Sequence, residues 1–389
     1  MTQRVLDLGS MPPANALLES PADSSPEYPL LLEACECGNF QLRDCLDAAD
    51  LYRHYYYTTP ESPTLQAHYG NLVTKLQDRC LLAESSRVLE IGSNIGVFLE
   101  FLRPFVAQTL GVDPAENVVE IANARGIDTI AEFFDAGVAE SIAQERGFYD
   151  LVFARHCMAH NRDPHAILEG VQKVLSDDGV FVLENAYALN TILGGEFDQV
   201  YHEHMFFFTL HSIVNILSHA GLRVIGAFLS DIHGGSIVCF AKRVGDADRD
   251  VAKLLEDEQR KLTSAAIREF AHRAQSTRDG LRAVVGDFLA SGKTIFSYGA
   301  TAKSATLINY CGFSSTQILF CADSTPMKQG RFFPKSHIEV VSEEVAFANP
   351  PDAFLLTAWN YRDELIQKAR HAGVRSSFIV PIPRLEIVS

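Results

Sequence analysis

At 389 residues the chain is too long for one ordinary core, so two or three domains are expected. Apolar residues make up 47% and charged residues 21%, the profile of a folded globular protein. The formal charge of -16 excludes a broad nucleic-acid partner, which needs clustered Lys and Arg, while a small anionic substrate needs only a few local cations and backbone N–H groups. No apolar run approaches the ~20 residues that span a bilayer, so no membrane partner is expected. The start, MTQRVLDLGSMPPANALL, lacks the basic stretch and apolar core of a signal peptide, and a cytoplasmic location follows as the expectation. Most of the eight cysteines (35, 37, 45, 80, 157, 239, 311 and 321) fall in apolar segments, where a reduced thiol acts as a small hydrophobe.

In chain order, the first ~65 residues read as irregular, rich in Pro, Ser and Tyr. A helix is expected from about Thr64, with Leu65, Tyr69, Leu72 and Leu76 at helical spacing. Arg87–Ile91 reads as a buried strand, followed by a glycine turn and a helix from about Val97. Thr109–Asp113 is a second strand and Glu116–Arg125 a second helix. Tyr149–Ala154 and Gly179–Glu184 read as two more strands. Strands separated by helices imply right-handed crossovers and a parallel sheet. Residues 248–290 carry one or two amphipathic helices that bridge to a second alternating unit. There Lys293–Tyr298 is a strand entering a glycine turn and Ala302–Asn309 a helix. Ile318–Ala322, Ala353–Thr357 and Ser377–Val380 are further strands.

Within Val88–Gly96, Glu90 stands near a strand end, and Gly92 and Gly96 flank Ser93 and Asn94 in the turn. Glycine there is expected to let the backbone approach a ligand that a Cβ would exclude. Asp113, about twenty residues on and followed by Pro114, closes the next strand, where a carboxylate can accept from both hydroxyls of a ribose. The turn is Gly-x-x-x-Gly, without the pyrophosphate-binding Gly-x-Gly-x-x-Gly, which favours an adenosine cofactor lacking phosphate. The Glu-x-Gly-x-x-x-Gly pattern resembles motif I of class I S-adenosylmethionine methyltransferases. Phe153–His160 and Val174–Phe181 resemble two further segments of those enzymes. The resemblance implies a class I methyltransferase α/β domain and S-adenosylmethionine as cofactor, with Phe133, Ala154, Arg155 and His156 added to the turn residues and Asp113 as cofactor-binding positions.

Phe197–His204 packs a phenol, two imidazoles and a carboxylate into Tyr201-His202-Glu203-His204. Histidine titrates near neutrality and suits proton abstraction beside a carbonyl. The same cluster is compatible with a polar helix cap or hydrogen-bonded interior group, and His-x-His is a weak zinc signal. The ordered series Leu6–Asn15, Phe197–His204, His233–Ser236, Tyr298–Ser304, Asn309–Gly312 and Asp323–Arg331, with Pro334 and His337, resembles the deoxysugar C-methyltransferases over nearly the whole chain. That resemblance implies methylation of a carbon next to a ketone in a nucleotide-linked keto sugar. It implies His204 as general base, with Tyr201, Glu203 and Tyr56 as catalytic neighbours. A second, C-terminal Rossmann-like α/β domain is implied to help hold the sugar nucleotide, with Thr301, Lys303, Ser304 and Lys328 as substrate ligands. His202 and His233 join them as pocket residues.

The implied division is an irregular remnant of a zinc module over 1–64, a methyltransferase domain over 65–245, and the second α/β domain with its leading helices over 246–389. Typical members carry two Cys-x-x-Cys pairs. Here Cys35, Cys37 and Cys45 make no Cys₄ set, so no zinc is expected and part of the lid over the acceptor pocket is lost. Methylation of a non-sugar metabolite, or a non-catalytic relative that binds a sugar nucleotide, are the alternatives.

Overall fold

Three sheets organise the chain in a computed structural model that describes residues 2–47, 51, 58–59 and 62–389. The first corrects the expectation of an irregular N-terminus. β1 (Thr2–Met11), β2 (Tyr28–Cys35) and β3 (Phe40–Leu42) form an antiparallel meander. Its apolar pattern is hard to see because β1 changes register against β2 between Arg4 and Leu6 and again between Asp7 and Ser10. Leu6 and Leu8 are buried at period two, but Met11 comes in one residue out of phase, as a bulge requires. The inner face joins the core of the C-terminal unit rather than making one of its own.

The second sheet begins with β4 (Arg87–Ile91), β5 (Gln108–Asp113), β6 (Thr129–Ala131), β7 (Tyr149–Arg155) and β8 (Leu175–Ala186). All are parallel, in the order β6-β5-β4-β7-β8. β9 (Phe206–Phe207) leaves this unit to pair with β3. β10 (Arg223–Ser230) and β11 (Ser236–Lys242) complete the sheet as an antiparallel hairpin on β8. The helix before β4 runs Pro63–Asp78, capped by the Ser62 side chain, and buries Leu65, Tyr69, Leu72 and Leu76, the stripe that its spacing predicts.

Two helices connect the units. In Arg249–Lys261, Val251 enters the core of the second sheet. Its buried Glu258 accepts hydrogen bonds from the Tyr187 hydroxyl at 2.7 Å and from the Leu210 and His211 N–H groups at 2.6 and 3.0 Å, capping helix Leu210–His219. The 27-residue helix Ser264–Ala290 instead buries Phe270, Ala274, Leu281 and Val285 against the third sheet. That sheet holds β12 (Ile295–Tyr298), β13 (Phe320–Ala322), β14 (Glu339–Val341), β15 (Ala353–Leu356), β16 (Ser377–Val380) and β17 (Glu386–Val388). Its order is β14-β13-β12-β15-β16-β17, parallel except for β17.

The parallel strands of both large sheets therefore follow one plan, with the first strand central and the chain order reversing between the first and fourth. Ligands of open α/β sheets lie at such a reversal, outside the carboxyl ends of the strands. Both reversals open into one cavity of about 530 Å³. Of the cysteines, only Cys239, Cys311 and Cys321 are buried, fewer than their apolar neighbours suggest; Cys37 and Cys80 are exposed. No helix among the described residues is long and apolar enough to cross a membrane.

Candidate active site

The cavity wall nearest β4 is acidic. Asp113 ends β5 almost fully buried; one carboxylate oxygen accepts the Asn94 N–H at 2.9 Å and the other the Ala115 N–H at 3.0 Å. Each oxygen keeps a second lone pair for a ligand hydroxyl. Burial raises its pKa against the pull of those N–H groups. Glu90 faces the same space, 3.1 Å from the Arg155 guanidinium, and its Oε2 has no partner among the described residues. Burial pushes the Glu90 carboxyl up to about 7, with Arg155 pulling the other way. Ser93, Asn94, Pro114 and the half-exposed ring of Phe133 complete this wall.

The two turn glycines are needed for a reason other than ligand approach. Both have positive φ, 71° at Gly92 and 77° at Gly96. A Cβ on Gly92 would lie 2.6 Å from Cys157 Cβ, and one on Gly96 would lie 2.8 Å from Ile127 Cγ2. The turn is wedged against its own protein, and Gly96 lies off the cavity wall.

Arg155 reaches the wall but is fully engaged. Its guanidinium joins Glu90 to Glu184 and stacks 4.2 Å from the Phe98 ring centre and 4.8 Å from that of Tyr69. Its role is therefore to hold Glu90 in place. Ala154 is buried within β7 and does not line the cavity. Glu184, which the sequence reading missed, is completely buried and gathers Arg155 at 2.9 Å, His68 at 2.8 Å and His156 at 3.7 Å. Burial alone would raise its pKa; the three cationic or donor neighbours outweigh that and hold it well down. His156 in turn sets its ring edge 4.6 Å from the His233 ring, and both line the cavity.

The Tyr-His-Glu-His segment splits. Tyr201 and His204 face the cavity, whereas His202 and Glu203 turn back toward the N-terminal segment. Glu203 accepts from both the backbone and side-chain amides of Asn15, each at 3.0 Å. His202 packs edge-on to Tyr28 with ring centres 6.0 Å apart. Neither lines the pocket that the sequence reading gave it, because the tight turn between Tyr201 and His204 points the ends one way and the middle the other. His204 Nδ1–H donates to the Gln199 carbonyl at 2.9 Å, since a carbonyl can only accept. That leaves Nε2 as an acceptor, and the Tyr201 hydroxyl donates to it at 2.6 Å. Burial first, and then the neighbouring His160, hold the His204 pKa well below its ordinary value, so the ring is neutral. His160 presents its ring 4.8 Å from that of His204; it too was missed, although it ends a segment already singled out. Tyr56 lies outside the described residues.

The wall nearest β12 is built on the Gly299 turn. Thr301 and Ser304 cap helix Ala302–Cys311 reciprocally, and Ser304 also donates to the Gly299 carbonyl. Ser304 is fully buried and off the wall; Thr301 is on it, with its hydroxyl committed to the cap. Both thus serve as helix caps; Ser304 does not reach the cavity as a candidate ligand would, while Thr301 does. Lys303 and Lys328 both line the cavity. Lys328 Nζ donates to the Ala300 carbonyl at 2.8 Å, and Lys303 Nζ lies 3.4 Å from the His233 carbonyl. Asp323 directly follows β13, much as Asp113 closes β5, taking the Ala300 N–H at 2.6 Å and the Thr325 N–H at 2.8 Å. That parallel was readable in the sequence as an acid closing the second strand. Among the described residues no group of three or more His, Cys, Asp or Glu is placed to hold a metal.

Residues 65–227 match the family model described as a methyltransferase domain, and residues 231–383 match the model described as a C-methyltransferase C-terminal domain. Over 395 aligned positions, covering 99% of this chain and 94% of the relative, the chain is 37% identical to C-methyltransferase NovU of Streptomyces niveus. It belongs to the C-methyltransferase family. YcgJ of Bacillus subtilis, an uncharacterised methyltransferase, is 31% identical over 106 residues, 26% of this chain and 41% of its own. Magnesium protoporphyrin IX methyltransferase of Synechocystis PCC 6803, solved with bound S-adenosylmethionine, aligns with a TM-score of 0.35 at 15% identity over 49% of this chain and 88% of that one.

This C-methyltransferase uses S-adenosylmethionine, and the β4 wall suits such a ligand. Two buried carboxylates, one with an oxygen that has no partner among the described residues, complement a cation that also carries a ribose, and the one guanidinium on this wall, Arg155, is already paired with Glu90 and Glu184.

Proposed function

We propose that this C-methyltransferase alkylates the carbon next to a ketone in a nucleotide-linked keto-deoxysugar, with His204 as the base. The observation that supports this most is the fixed tautomer of His204. Its Nδ1–H is committed to Gln199, so the basic Nε2 looks into the same cavity as the Gly92 turn and Asp113. Glu90, Ser93, Asn94, Asp113, Pro114 and Phe133 would hold S-adenosylmethionine, which when bound supplies an electrophilic methyl group. Residues 65–245 carry that half in this reading, and 246–389 the half for the nucleotide; Lys303, Lys328 and Asp323 of the second half face the acceptor together with His233 of the first.

The ketone acidifies the neighbouring C–H, and Nε2 takes the proton. To reach Nε2 the substrate must displace the Tyr201 hydroxyl, which then donates to the carbonyl oxygen as negative charge develops there. One rotation thus exposes the base and supplies the oxyanion donor. The imidazole must be neutral before it takes the proton, and burial beside His160 keeps it so; the proton it then carries makes it an imidazolium.

Methyl transfer to a panel of nucleoside-diphosphate keto sugars, read by mass spectrometry and NMR, tests the proposal. A new C–methyl on the carbon beside the ketone is expected. Turnover only of non-sugar ketones, hydroxyls or amines would overturn it.

A further inference from the structure

The single tryptophan of the chain, Trp359, follows β15 in the C-terminal unit and is nearly buried without lining the cavity. Its indole N–H donates to Asp198 Oδ2 at 2.6 Å, across 161 positions of sequence. An indole has one donor and no acceptor, so this is a single directed bond, strengthened by an ionisable partner. Asp198 is fully buried in the short turn Phe197–Gln199. The next residue, Gln199, supplies the carbonyl that selects the His204 tautomer. The Gln199 amide is itself tied to Glu196 at 2.9 Å and to the His233 carbonyl at 2.8 Å. Lys303 lies 4.8 Å over the indole, so the outer face of the ring is packed as well.

We infer that Trp359 and Asp198 are positioning residues for the base: the bond between the two units fixes the turn whose Gln199 carbonyl aims His204. The base lies between β8 and β9 in the methyltransferase unit, yet its alignment depends on a residue of the other unit. This rests on the reading of His204 as base. Binding of S-adenosylmethionine at the β4 wall does not involve the bond.

The full-length enzyme carries the test. Trp359→Phe keeps the ring and removes the N–H, and Asp198→Asn keeps an oxygen for the indole. Trp359→Phe is expected to lower kcat about ten- to hundredfold, the scale of a small misplacement of a catalytic group. Deuterium exchange at the carbon beside the ketone, followed with a keto-sugar nucleotide that the wild type methylates, should slow by the same factor. Acceptor KM and calorimetric affinity for S-adenosylmethionine should stay within about threefold of wild type, and Asp198→Asn, with the indole N–H still in place, should keep most of the wild-type kcat. Where Trp359→Phe does not fold, the double variant Asp198→Leu/Trp359→Phe replaces both partners with apolar groups and should show the same loss. Wild-type kcat and exchange in a variant lacking the bond would overturn the inference. So would a loss that tracks S-adenosylmethionine affinity, which marks a general structural role. A wild type that exchanges no deuterium while methylating the carbon would overturn the base assignment itself, a distinguishable result.

Discussion

The two large sheets share the order of their parallel strands and a first-turn glycine, and each has an acid at the carboxyl end of its second strand that takes an N–H from the first turn, Asp113 from Asn94 and Asp323 from Ala300. They differ in what surrounds that frame. The first has Glu90 one residue before the end of β4, and a helix that starts at Gly96 with no side-chain cap. The second has Ser297 at the matching place, a Thr301–Ser304 box closing its helix, and Lys303 and Lys328 on the wall. One scaffold thus carries a wall of buried carboxylates at one reversal and a mixed wall with two ammonium groups at the other. Specificity here lies in a few side chains at the strand ends, and the fold underneath is common to both.

Crossing the two acids gives the largest expected effect. Asp113→Ala should weaken S-adenosylmethionine binding roughly ten- to hundredfold, the loss of hydrogen bonds to a charged group, with acceptor KM little changed. Asp323→Ala should do the reverse. Calorimetry and steady-state kinetics on both variants check this, and equal effects on both ligands would break the comparison.

Next come the turns. Gly92→Ala meets both a positive φ and Cys157, and should cost about 1–3 kcal/mol in denaturant unfolding. Gly126→Ala has φ 77° and open space, and should cost only the backbone strain, about 1 kcal/mol. Matching losses would show that the Cys157 contact is unimportant.

Glu90 sharpens the comparison through pH. A cation favours the carboxylate form, so binding promotes loss of the proton from a group that titrates at about 7. S-adenosylmethionine affinity should therefore rise with pH up to about 7 and fall below it, by no more than tenfold per pH unit. Glu90→Gln should flatten the profile, and an unchanged slope would contradict it.

The smallest effect belongs to Thr301→Val. Losing a cap costs about 1 kcal/mol of stability, and because the hydroxyl already serves the helix, acceptor KM should move less than twofold. A tenfold rise would restore Thr301 as a ligand.

Most of the parallel strands were legible because fully buried strands make short apolar runs bounded by turns, as Arg87–Ile91 and Ser377–Val380 do, whereas the three-residue edge strands Thr129–Ala131 and Glu339–Val341 are too short to show such a run and went unread. β1 was not, since its bulges break the alternation that betrays a strand. Tyr201 and His204, singled out by the family resemblance, both line the cavity, whereas Glu203, drawn in with them, does not. Spacing of one residue cannot say which side of a tight turn a carboxylate takes. Glu184 sits in an apolar strand and owes its importance to His68, 116 positions away on another element, so nothing local marks it.

Wash-in of solvent deuterium at the carbon beside the ketone, with S-adenosylhomocysteine filling the donor site, isolates proton abstraction from methyl transfer. Wild-type enzyme should exchange that hydrogen, and His204→Asn should slow exchange by roughly a hundredfold or more while still binding S-adenosylhomocysteine. Undiminished exchange in His204→Asn would contradict the account.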